Sequence, residues 1–173
     1  FGQSYFLGLF NSSIREALSI THGQFGSIYA SATLCSSLLL IWVGKKIDDV
    51  NIFKFAFFVT ILLSFACFFF SRVTSVFLLF IAIFLMRFSG QGMMSHTAST
   101  TISRYFTRTR GRALSISWFG LSSAEFIMPV LMVYLLTIID WQNLWLIFSI
   151  TVLIILPTAS FLLIKNLNLD SRE

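Results

Sequence analysis

Three stretches of this chain, Phe25 to Val43, Phe55 to Ser71 and Asn143 to Ile164, contain no Asp, Glu, Lys, Arg or His. Two more are nearly as bare: 76–103 carries only Arg87 and His96, and 113–139 only Glu125. Crossing about 30 Å of hydrocarbon takes about 20 helical residues, and each run is long enough, the second with its flanks. None alternates strictly between apolar and polar, which excludes barrel strands and leaves helices, because lipid satisfies no stray backbone group. Charged residues make up 11% of the chain and hydrophobic ones 57%. A soluble domain is nearer a quarter charged, so this composition cannot cover a water-facing surface.

The expected fold is therefore all-α, a polytopic transmembrane bundle, with spans at about 25–43, 55–71, 76–103, 113–139 and 143–164. The apolar stretch 1–10 is too short to cross and has neither a basic n-region nor a small-residue cleavage site, so it is no signal peptide. It reads as the second half of a truncated first helix, which makes the chain a fragment; residues 165–173 read as the start of a cytoplasmic linker. Basic residues give the orientation. Lys45, Lys46, Lys54, Arg104, Arg108, Arg110, Arg112, Lys165 and Arg172 fall on one side, against Arg15 and Arg72 on the other. The positive-inside rule places the richer side, and both termini, in the cytoplasm of a bacterial inner or plasma membrane.

The net charge of +5 lies in these short loops and forms no basic face, so nucleic acid is not an expected partner. Cys35 and Cys67 sit in apolar runs without metal or disulfide spacing and read as small packing residues. No cofactor or metal is expected. Nor is an enzyme: there is no His-x-x-x-His, no paired intramembrane aspartate and no Gly-x-Ser-x-Gly.

Function is sought where charge enters the membrane. An ionised side chain at a helix centre costs about 2.5–3.5 kcal/mol on insertion scales, so it turns toward the bundle or a cavity. Arg87 and Glu125 qualify, and their expected depths differ by about 6 Å at about 1.5 Å per residue. Two readings stand open. In one, Arg87 grips an anionic substrate through two hydrogen bonds and Glu125 carries a coupling proton. In the other they form a buried ion pair that only joins helices. Helical spacing puts Arg87, Gln91, Met94, Ser95 and Ala98 on one stripe, and Ser89, Gly92, His96, Ser99 and Ser103 opposite. The second stripe suits close helix packing, with His96 either an interhelical hydrogen-bonding group or a proton relay. Pro129 leaves the carbonyl of Glu125 without its helical donor, which makes either a local polar site or a packing kink.

These residues resemble a family. Gly44-Lys-Lys-Ile-Asp48 is similar to the opening of the loop motif Gly-x-x-x-Asp of the major facilitator superfamily, although the basic residues that follow there are replaced by Asp49-Val-Asn-Ile-Phe53. Arg87-Phe-Ser-Gly90-Gln-Gly92 looks like the arginine–glycine motif of that family's fourth helix. The run Arg104-Tyr-Phe-Thr-Arg108-Thr-Arg110-Gly-Arg112 resembles the fifth-helix entry of its monocarboxylate and oxalate–formate branches. The resemblance implies a first half of a twelve-helix secondary transporter, completed by a C-terminal six-helix half. A small solute, an organic anion with proton coupling, would bind between the halves by alternating access. Arg87, Gln91 and Glu125, with Gln3 and Tyr5 of the first helix, become substrate or proton-pathway candidates; of the cytoplasmic loop-motif residues Gly44, Asp48, Arg108, Arg110 and Arg112, the resemblance gives Gly44 a close helix contact and Asp48 a place in a charged latch between the halves. The alternative is a complete six-helix protein acting as a homodimeric carrier or a non-transporting sensor or scaffold.

Overall fold

Short polar residues set the helix boundaries. Thr21 accepts from Gln24 N at 3.2 Å while the Gln24 side chain accepts from Thr21 N at 2.9 Å, a reciprocal cap at the head of the first long apolar helix. Asn51 Oδ1 takes the amides of Phe53 and Lys54, and Ser75 Oγ that of Leu78, at the heads of the next two. A computed structural model describes residues 2–48, 50–106 and 108–165; Phe1 and residues 166–173 of the expected linker 165–173, with Arg172, lie outside the described residues. The helices are α1 (Ser4–Gly8), α2 (Asn11–Leu18), α3 (His22–Val43), α4 (Ile52–Ser71), α5 (Val76–Met86), α6 (Ser95–Tyr105), α7 (Arg110–Leu136) and α8 (Trp141–Lys165). A 3-10 turn, Gly44–Asp48, follows α3, and a π-helical segment, Arg87–Met94, joins α5 to α6. No strand occurs among the described residues.

The first segment differs from the expected half-helix. The chain tightens after α1, where Leu9 N donates to Phe6 O and Phe10 N to Leu7 O, both at 3.2 Å, and then continues as α2 through the polar stretch. Ile14 is the reason: with Phe10 it is completely buried, so one apolar side of Asn11–Leu18 belongs to the core. Ser19, in the left-handed region at φ 52°, ends α2 as Ile20 N reaches back to Arg15 O at 3.1 Å.

The core is built by α1, α2, α4, α5 and α8, joined by Phe25 and Ala32 of α3 and Met132 of α7. Trp145 on α8 is its centre, with ring centroids of Phe70, Phe10 and Phe6 at 4.5, 5.1 and 5.7 Å. α4 and α8 share the most extensive contact, fastened by two reciprocal bonds: Ser64 Oγ donates to Ser149 O at 2.9 Å, and Ser149 Oγ to Ser64 O at 2.8 Å. Small hydroxyl residues at a helix crossing allow both close approach and a bond across it, which matters where lipid supplies no hydrophobic drive.

Burial is uneven. In the most apolar window 44% of residues are buried for Ile52–Ser71 and for Val76–Tyr105, against 11% for His22–Ile47 and 6% for Arg110–Leu136. α7 touches α1, α6 and α8 along one edge and leaves Trp118, Phe119, Phe126 and Val130 exposed. A monomer in water could not carry such a face. Cys67 is buried as expected of a packing residue, whereas Cys35, on the sparsely covered α3, is exposed.

Candidate functional site

The long helix formed by α5, the π segment and α6 changes pitch at its first charged residue. α5 is wholly apolar. At Ser89 the hydroxyl donates to Leu85 O at 2.7 Å, competing for the carbonyl that the Ser89 amide would use in an α-helix. Gly90 and Gly92 add backbone freedom directly afterwards, and the hydrogen-bonding loosens to the π pattern over Arg87–Met94. Chain and helix meet closely here. Gly2, at φ +77°, lies so near the π segment that a Cβ would stand 2.3 Å from Met86 O and 3.0 Å from the Gly90 Cα. On the other side Gly92 faces Leu40 of α3, where a Cβ would meet its methyls at 3.1 and 3.3 Å.

Arg87 is half-buried in this junction. Its Nη1 donates to Gly2 O at 3.2 Å, to Ser4 Oγ at 3.0 Å and to Gln91 Oε1. Its guanidinium carbon lies 5.4 Å from the ring centroid of Tyr29 on α3. Its Nε is buried without a hydrogen-bond partner. The charge is thus held by neutral groups, with Nε covered by the protein but given no hydrogen bond by it.

The expected contact of Arg87 with Glu125 does not form: every hydrogen bond of Arg87 goes elsewhere, and Glu125 is an exposed residue of α7. The depth arithmetic fixed the axial position of the two residues and left their azimuth open. α1 touches α7 and supplies Ser4 to Arg87. Gln91 joins Arg87 as a neighbour; Gln3 caps α1 from an extended backbone without a side-chain cap bond, half-buried like Tyr5. Pro129 lies inside α7, which continues through it to Leu136. Gly2, Ser4 and Tyr29 did not emerge from the sequence. The signal for the last was there, since Tyr29 and Thr33 are a polar pair at i, i+4 in an uncharged run.

The remaining candidates lie at the basic end. His96 Nε2 pairs with Gly44 O at 3.1 Å, and Arg104 Nη2 donates to Ile47 O at 3.1 Å, so α6 straps down the 3-10 turn. His96 is therefore separated from Arg87, on the far side of the π segment. Arg108, Arg110 and Arg112 are exposed at the head of α7; the side chain of Asp48 lies outside the described residues.

The family model described as Major Facilitator Superfamily matches residues 1–171. The chain belongs to that superfamily. No curated protein and no solved structure matches the chain. As a major facilitator with five helices among the described residues long and apolar enough to cross a bilayer, it is an integral membrane protein of a transporter family, and members carry out secondary transport of a solute.

Proposed function

We propose that this bundle is one half of a proton-coupled carrier for a small organic anion, with Arg87 as the anion anchor and Glu125 as the coupling acid. One observation carries the reading: Arg87 has no carboxylate partner, and its Nε edge is free of protein hydrogen bonds. An arginine that served only as half of an ion pair would have its acid beside it. A guanidinium whose other edge is fixed by Gly2, Ser4 and Gln91 is preorganised to receive a carboxylate side-on.

The exposed face of α7 supports a second six-helix half as the opposite wall of the site, with Glu125 turned toward the space between the halves. The basic ends of α3, α4 and α6 face the cytoplasm in this reading, as the positive-inside bias requires. Alternating access then exposes Arg87 to each side in turn. The entry to α7 resembles the fifth-helix entry of the monocarboxylate and oxalate–formate branches, which supports an organic anion as cargo.

Uptake of labelled mono- and dicarboxylates into vesicles containing the whole carrier tests this. Arg87→Ala abolishes uptake, while Glu125→Gln retains anion binding and flattens the dependence of uptake on pH, because the amide can neither gain nor lose the coupling proton. Unchanged uptake and unchanged pH profile in both variants would remove the two residues from the mechanism.

A further inference from the structure

At the basic end, away from Arg87, a groove of about 230 Å³ opens between the end of α3 and α6, lined by Leu40, Ile41, Gly44, Lys45 and His96. Lys45 is exposed, while His96 spends Nε2 on Gly44 O at 3.1 Å. A carbonyl only accepts, so Nε2 carries the hydrogen and the imidazole is held as a wall of the groove. Lys45 supplies its charge. The acids that follow in the turn, Asp48 and Asp49, are outnumbered by Lys45, Lys46, Lys54 and Arg104, so this end is basic as a whole.

The groove closes a longer track. Leu34, Leu38, Ile41 and Lys45 fall on one stripe of α3 and its continuation, at i, i+4, i+7 and i+11, and all four are exposed, the three apolar ones by more than half. From Leu34 to Lys45 the rise is about 16 Å at about 1.5 Å per residue. One leaflet is half of about 30 Å of hydrocarbon, so the stripe has the length of one acyl layer and ends in a cation where the phosphates begin. Trp42, 78% exposed beside it, is a residue type that settles at that boundary. A protein partner on this stripe would have to bring its own acid to Lys45. A phospholipid brings the apolar chain and the anion already joined at this spacing.

We infer that the groove between α3 and α6 holds the headgroup phosphate of an anionic phospholipid, with an acyl chain laid along Ile41, Leu38 and Leu34. The Lys45 ammonium takes the phosphate while its methylene stem lies on the apolar lining. A soluble phosphate shares the headgroup's chemistry but has nothing to lay on the stripe. The inference is independent of what Arg87 binds.

The test titrates the purified whole carrier, in an uncharged detergent, with dioleoyl phosphatidylglycerol, and in parallel with phosphatidylcholine, glycerol 3-phosphate and inorganic phosphate, following the melting temperature. Phosphatidylglycerol raises it saturably and the other three do not. Lys45→Gln moves the phosphatidylglycerol titration to about fivefold higher lipid, the factor expected for one cation at an anionic surface. Lys45→Arg keeps the native titration, and so does Lys46→Gln, which removes the same charge one residue outside the groove. Leu38→Gln weakens the response in the same direction as Lys45→Gln, through the chain. Equal weakening by Lys45→Gln and Lys46→Gln would mean diffuse attraction to the basic end and overturns the inference. An equal response to phosphatidylcholine, or none to phosphatidylglycerol, overturns it as well. A response to either soluble phosphate replaces the lipid by a free anion and overturns the assignment of the stripe.

Discussion

Replacing Arg87 by lysine separates the two jobs of this side chain. Nη1 faces three acceptors, Gly2 O, Ser4 Oγ and Gln91 Oε1, yet carries only two hydrogens. A lysine ammonium has three donors and no acceptor, so it can serve all three acceptors and preserve the contact between α1 and the π segment. What it cannot reproduce is the second edge, where Nε and Nη2 lie parallel, or the flat surface stacked on Tyr29. Two charge-assisted hydrogen bonds to a bound carboxylate contribute about 1.5–3 kcal/mol each, so their loss removes about 3–6 kcal/mol of recognition. At about 1.4 kcal/mol per decade this is a fall in kcat/KM of between about 10²- and 10⁴-fold. Thermal stability in detergent changes much less, by the stacking contribution of about 0.5–2 kcal/mol. Uptake kinetics and melting curves on the same purified variant decide the matter. If Arg87→Lys keeps uptake within about threefold of native, the free edge does not grip the cargo.

Other perturbations read the scaffold. Gly2→Ala forces a side chain into the left-handed region, at about 1–2 kcal/mol, and presses a methyl on Met86 O; melting temperature falls and KM rises, because the acceptor that fixes Arg87 is displaced. A Gly2→Ala carrier as stable as native would contradict this close approach. Ser64→Ala with Ser149→Ala removes both reciprocal bonds between α4 and α8, each worth about 0.6 kcal/mol on average in a membrane, so the double variant melts slightly lower yet transports normally. Loss of transport there at unchanged stability would give this interface a part in the cycle.

The long apolar runs made the helices after the first legible, since apolarity sustained over a membrane's thickness has few physical solutions. Arg87 and Glu125 were legible for the converse reason, as the costly exceptions. Their relation was not. It depends on which way each helix is turned, and the stripe drawn through Arg87, Gln91 and Met94 assumed a uniform pitch that the Ser89–Leu85 bond breaks. The helicity of Asn11–Leu18 was hidden because its polarity suggests a loop, while the single buried Ile14 that commits it to the core carries little weight in a hydropathy profile. Tyr29 was masked by the apolar residues around it; only the arginine arriving from another helix gives it meaning.

The wide turn from Arg87 to Met94 has a mechanical corollary. A rod of constant pitch transmits rotation from end to end, but a loosened turn lets the lengths above and below it keep separate phases. The lower length is anchored, His96 on Gly44 and Arg104 on Ile47, while the upper length presents the guanidinium. Reorientation around the cargo can therefore be absorbed at this joint, leaving the basic end of the protein undisturbed.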